Sequence, residues 1–209
     1  MGKLPSTVRE EQAQYASDIP RNKREALCAT MGDQTPAGIY HIGNAKILEQ
    51  PLTAFFCSVR CPGNLILKAY DLAQKWRAEN QPVIGGFHSP VEREVLRILL
   101  RSTVPVSIVL ARCLPKRIPP EFHRPLEEGR LLLLSPFDAK TKRATQETAA
   151  RRNEVVAALA GRIVVAYAAS GGKTDGICRA LVRTGKPCLT FDDPRTANLQ
   201  AVGFILLPL

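Results

Sequence analysis

Residues 163–174 read IVVAYAASGGKT, and this stretch decides the fold. Seven apolar residues come first, from Ile163 to Ala169. A turn at Ser170-Gly171-Gly172 follows, and Lys173-Thr174 open a segment of helical periodicity. A run that is apolar at every position, rather than at alternate ones, belongs to a strand covered on both faces. The same pattern recurs outward in both directions. LTAFFCSV begins at Leu52, PVIGGF at Pro82, VPVSIVLA at Val104, RLLLLS at Arg130 and PCLTF at Pro187. Periodic segments stand between these runs, at Leu65–Glu79, Pro90–Arg101, Thr145–Ala160 and Asp175–Thr184. Strand–helix alternation predicts an α/β fold: a Rossmann-like, doubly wound, mainly parallel sheet with helices on both faces.

Residues 1–50 read differently, as a polar helical and loop extension ahead of a Rossmann-like domain at 51–209. Prolines at positions 5, 20 and 36 punctuate the extension and Pro51 closes it; it carries a short helix predicted over Arg21–Met31 and an extended segment GIYHIGN. The charge divides at the same place. Through Gln50, six basic and six acidic residues cancel, so the whole net charge of +10 falls on residues 51–209. A basic folded domain favours anionic partners such as nucleic acid or nucleotides. At 209 residues with 45% hydrophobic content, the chain can bury a real core. No apolar stretch is long enough to span a bilayer, which predicts no membrane association. MGKLPSTVRE matches the loose myristoylation pattern through Gly2 and Ser6, yet has no secretory character. Six scattered cysteines without paired spacing then predict reduced thiols in a cytoplasmic protein. Neither they nor the three histidines suggest a metal, and no cofactor motif is present.

In a doubly wound sheet, ligands bind beyond the carboxyl ends of strands, where strand order reverses. The loops after the apolar runs are therefore the candidate site. After LTAFFCSV come Ser58, Arg60, Gly63 and Asn64. The guanidinium can fork onto a phosphate, Gly63 permits a tight turn, and Asn64 is a fair helix cap. After PVIGGF, Gly85 and Gly86 allow close backbone approach, His88 can touch a ligand, and Ser89 can cap the helix that Pro90 opens. Each also reads as an ordinary strand–helix turn. Arg93, Arg97 and Arg101 share one helical stripe, which reads as a solvated face. At Ser170, Gly171, Gly172, Lys173 and Thr174, free helix N–H groups, an ammonium and a hydroxyl converge on a phosphate position. The ATP-binding motif GxxxxGK[ST] needs glycine where Tyr167 stands, so it is absent. Arg152 and Asn153, beside Arg151 and Glu154, add guanidinium and amide groups one strand upstream.

In this order, the motifs resemble the Rossmann-like domain of the DNA-processing protein A (DprA/Smf) family over roughly Leu52 to Asp193. The family's glycine-serine-arginine loop is similar to Ser58-Val59-Arg60, and its Ser-Gly-Gly turn to Gly85-Gly86. Its arginine-asparagine helix start resembles Arg152-Asn153, and its later Ser-Gly turn Ser170-Gly171. The chain departs from the family at Phe87-His88-Ser89-Pro90 and at Tyr167, where the family carries acidic residues. It is more similar to a short, stand-alone branch of the family than to a full recombination mediator. The resemblance implies binding of single-stranded DNA and help to a recombinase, without turnover of substrate.

A more distant resemblance links the chain to Lonely Guy-type, lysine decarboxylase-like phosphoribohydrolases. Their PGGxGTxxE turn is similar to Gly171–Thr174, but Ile177 stands where they have glutamate. The leading reading is a non-catalytic binder of single-stranded nucleic acid or of a nucleotide, with no catalytic residue assigned. A nucleotide N-glycosidase using Glu154 or Asp175, and a nucleotide sensor signalling to a partner, are the alternatives. A homodimer through helices flanking the sheet is also consistent with the reading.

Overall fold

The computed structural model describes residues 19–36 and 38–208; Gly2, Ser6 and the rest of the first eighteen positions lie outside the described residues. Among the described residues, eight strands form one sheet. They are β1 (Tyr40–Gly43), β2 (Thr53–Cys57), β3 (Val83–Gly85), β4 (Val106–Val109), β5 (Leu131–Ser135), β6 (Arg162–Tyr167), β7 (Cys188–Thr190) and β8 (Ile205–Leu206). Their spatial order is β1-β5-β4-β3-β2-β6-β7-β8. All neighbours are parallel except β1 against β5, where Tyr40 pairs with Ser135 and Gly43 with Leu132. The fold is thus the predicted mainly parallel, Rossmann-like α/β sheet.

Among the described residues, seven α-helices cover it: α1 (Arg21–Met31), α2 (Gly63–Ala78), α3 (Pro90–Leu100), α4 (Pro120–Glu127), α5 (Gln146–Leu159), α6 (Lys173–Arg183) and α7 (Ala197–Ala201). Strand side chains alternate between two cores, as a two-residue period demands. Ala54, Phe56, Leu132, Leu134, Ile163 and Val165 pack with α1, α5, α6 and α7. Phe55, Cys57, Leu131, Leu133, Val164 and Ala166 pack with α2 and α3. There Trp76 meets Phe55 edge-on, with ring centroids 5.7 Å apart. The central strands β2, β4, β5 and β6 are therefore apolar over most of their length because both of their faces are covered.

The described part of the N-terminal segment is joined to the sheet. Ile19, Leu27, Met31, Ile39, Ile47 and Leu48 are buried in the same core as α5. Two lysines close the carboxyl end of α5: Lys23 Nζ donates to Leu159 O at 2.7 Å, and Lys186 Nζ to Ala157 O and Ala158 O at 2.7 and 2.6 Å. Burial, and then the neighbouring Lys23, push Lys186 down to about 8. Its carbonyl partners and the negative end of the helix dipole draw the ammonium there nonetheless. Among the described residues no helix is long and apolar enough to cross a membrane.

Candidate nucleic-acid interface

Starting from β2, the chain builds outward through β3, β4 and β5, then returns to place β6 on the other side of β2. The loops after β2 and β6 therefore diverge, and their divergence opens a crevice at the carboxyl edge. An irregularity sits beside it: Phe56 pairs with Val165 but Cys57 pairs with Tyr167, so β6 carries one extra residue there. Ser58 ties the two lips together. Its N–H donates to Tyr167 O at 2.9 Å, and its hydroxyl accepts from Ala169 N at 3.1 Å. Arg60 then stands exposed on one lip. Beside it the Cys57 and Cys61 thiols share a hydrogen bond; that bond, with burial, pushes Cys57 up, and the same bond holds Cys61 down against its burial.

The next loop along the edge follows β3 and rests on a buried carboxylate. Glu92 Oε1 accepts from Cys57 N at 2.9 Å, and Oε2 accepts from His88 N and Ser89 N at 2.7 and 3.1 Å. Ser89 Oγ accepts from Glu92 N in return, completing a capping box with Pro90 in the first turn of α3. One side chain thus fixes both the β2 and β3 loops. Within the second loop Phe87 holds a positive φ of 47°, a conformation a bulky residue keeps only when its surroundings dictate it.

Gly86 is the floor for Arg152. A Cβ built there would lie 2.6 Å from Arg152 Nε and nearer still to the rest of the guanidinium. Arg152 is only 7% exposed and donates from Nε to Asn153 Oδ1 at 2.7 Å. Burial lowers its pKa, and the Glu92 charge opposes that. Gly86→Ala should therefore push the guanidinium out of its seat. The expected result is a stability loss of about 1–3 kcal/mol, as for other overpacked sites, read as a shift in the urea midpoint. An unchanged midpoint would show that Arg152 yields freely.

On the opposite lip, Gly171 takes φ +69°, which only glycine adopts without strain. Its N–H donates to Asp175 Oδ2 at 3.0 Å, and Gly172 N–H donates to Ala169 O at 2.8 Å. Asn198 Nδ2 holds the other Asp175 oxygen at 2.8 Å. Asp175 is thereby an internal partner for the turn, not a free carboxylate. The amides of Lys173 and Thr174 head α6, where the first N–H groups of a helix have no partner within the helix. The Lys173 side chain and Ser170 are exposed.

Not every candidate faces this crevice. Asn64 does not cap α2, which begins at Gly63 with Pro62 preceding it. Its amide donates instead to Asp193 Oδ2 at 2.6 Å, and its oxygen accepts from Arg195. The Arg195 backbone N–H, together with Lys68 and Asn64, holds the Asp193 carboxyl below its usual range. His88 contributes its backbone N–H, while its ring is exposed. Asn153 and Glu154 line a groove of about 420 Å3 between α1, α5 and α6, on the helical face. Glu92, Asp175 and Asp193 had not been singled out as structural supports. Glu92 was visible in principle, because Ser89-Pro-Val-Glu92 is a capping-box pattern. Among the described residues no group of His, Cys, Asp or Glu could hold a metal ion, and all six thiols are free.

Known structures share this architecture. DNA processing protein A of Streptococcus pneumoniae superposes with a TM-score of 0.74 at 16% identity, covering 94% of this chain and 71% of that one. The Helicobacter pylori protein of the same name, solved for its single-stranded DNA binding mode, gives 0.75 at 18% identity, over 93% and 90% of the two chains. The molybdenum cofactor carrier protein of Chlamydomonas reinhardtii shares the fold more loosely, with a TM-score of 0.52 at 13% identity, over 76% and 90%. No curated protein matches the chain. The family model for DNA recombination-mediator protein A matches residues 12–190, and the chain belongs to that family.

Proposed function

We propose that this protein binds single-stranded DNA in the crevice between the β2 and β6 loops, as a non-catalytic member of its family. The observation that carries the reading is the convergence of Arg60, Lys173, the head of α6 and the seated Arg152 on one edge, at the point where strand order reverses. Exposed Arg60 and Lys173 supply cations for phosphates, while the Lys173 and Thr174 amides supply donors. Membership in a recombination-mediator family, and the single-stranded DNA binding of the H. pylori relative, point to the same ligand. Sparse aromatic content, 6% of the chain, argues for weak base preference, since stacking platforms are few. The cytoplasm, where free thiols persist, is the compartment proposed for it.

The test is fluorescence anisotropy with a labelled oligothymidylate across a salt series. Affinity should fall linearly on a log–log plot, with a slope of about −0.7 per phosphate contacted. Absence of binding at about 50 mM salt removes the proposal.

A further inference from the structure

The carboxyl edge does not end at the crevice. Beyond β3 the same edge carries the loop between β4 and α4 and the loop between β5 and α5, because both strands run parallel to β2. The first loop holds Arg112, Lys116 and Arg117, and the second Lys140, Lys142 and Arg143, all six exposed. Among the described residues none of these six forms an ion pair. Asp138 is the one acid of the two loops; it is exposed, and its Oδ1 accepts from Lys140 N–H at 3.0 Å and from the Thr141 hydroxyl at 3.4 Å. The loops are fastened to each other rather than splayed. Cys113 N donates to Thr141 O at 2.8 Å, and the Ser135 hydroxyl donates to Arg112 O at 2.8 Å.

Six cations packed this densely, against the single carboxylate of Asp138, are unfavourable unless an anion shares them. Its shape is also telling. Adjacent strands lie about 4.8 Å apart, so three strand spacings set the far loop roughly 15 Å from the crevice. That is the reach of about four or five stacked nucleotides at 3.4 Å each. None of the large exposed apolar side chains (Val59, Leu67, Ile205 and Leu206) lies in either loop, so the surface lacks the anchors a bilayer would engage. We infer that single-stranded nucleic acid leaves the switch-point crevice and runs across β3 onto the β4–α4 and β5–α5 loops, whose six cations hold its phosphates. The inference rests on the crevice being the primary site, and it makes the ligand a polymer rather than a mononucleotide.

The experiment compares labelled oligothymidylates of about four and about fifteen nucleotides on the full chain, wild type and K140E/K142E/R143E. Wild type should bind the longer strand at least tenfold more tightly. The variant should lose about tenfold or more on the long strand, with its salt slope shallower by about 2, while its affinity for the short strand holds. If the variant fails to fold by thermal melting, R112E/K116E/R117E is expected to give the same result from the neighbouring loop. Equal affinity of wild type for both lengths overturns the path. So do equal losses on both strands in a folded variant, or loss of anionic-vesicle binding with the long strand untouched. If wild type binds neither strand, it is the crevice reading itself that fails.

Discussion

Glu92→Ala is expected to lower the unfolding free energy by about 3–5 kcal/mol, the range for removing one member of a buried charged network. The carboxylate accepts from three backbone donors, at Cys57, His88 and Ser89, and truncation leaves those N–H groups buried and unmatched. It also strips the seated Arg152 of the negative charge that partly offsets its desolvation. Glu92→Gln is the sharper test, because size and shape are kept. Both carboxylate oxygens are in use, so an amide must turn an NH2 group toward an N–H donor whichever way it is flipped. A loss of about 2 kcal/mol is expected from Gln, seen as a lower urea midpoint with the slope preserved. A Gln variant as stable as wild type would mean that the β2 and β3 loops hold without this clamp.

The second large effect concerns ligand, not fold. In the proposed interface Arg60→Ala combined with Lys173→Ala should weaken single-stranded DNA binding by about 100-fold at low salt. Two charge-assisted contacts at about 1.5 kcal/mol each give that ratio. The salt slope should become shallower by about 1.4, twice the single-strand increment. Both side chains are exposed, so thermal stability should stay close to wild type. Wild-type affinity in the double variant would place the strand elsewhere on the molecule.

The strands were legible because a buried parallel sheet has no polar face to interrupt its pattern, as RLLLLS and IVVAYA show. α4 was hidden by Pro119, Pro120 and Pro125, which read as loop until Pro120 is allowed at the first helical position. β1 was read as an extended segment, but its antiparallel seat beside β5 is a tertiary fact that no local pattern encodes. The loops of the candidate site could be placed on one edge from strand alternation alone. What each polar side chain does there was not legible, because its partner lies far away along the chain. Asn64 reads as a cap, yet it answers to Asp193 and Arg195 across α2. Asp175 reads as a spare carboxylate, yet it closes the Gly171 turn and holds Asn198.

Because Tyr40–Gly43 join the sheet against Leu132–Ser135, the segment made first at this edge must wait for one made much later. Until β5 exists, Ile39, Ile47 and Leu48 have no core to enter, and closing so long a loop costs entropy before any ladder hydrogen bond forms. Assembly of this flank is thus a late event on the ribosome's timetable. From Leu48 until Leu131–Ser135 has emerged, the nascent protein carries an unsated hydrophobic arm, the kind of exposure that chaperones exist to guard.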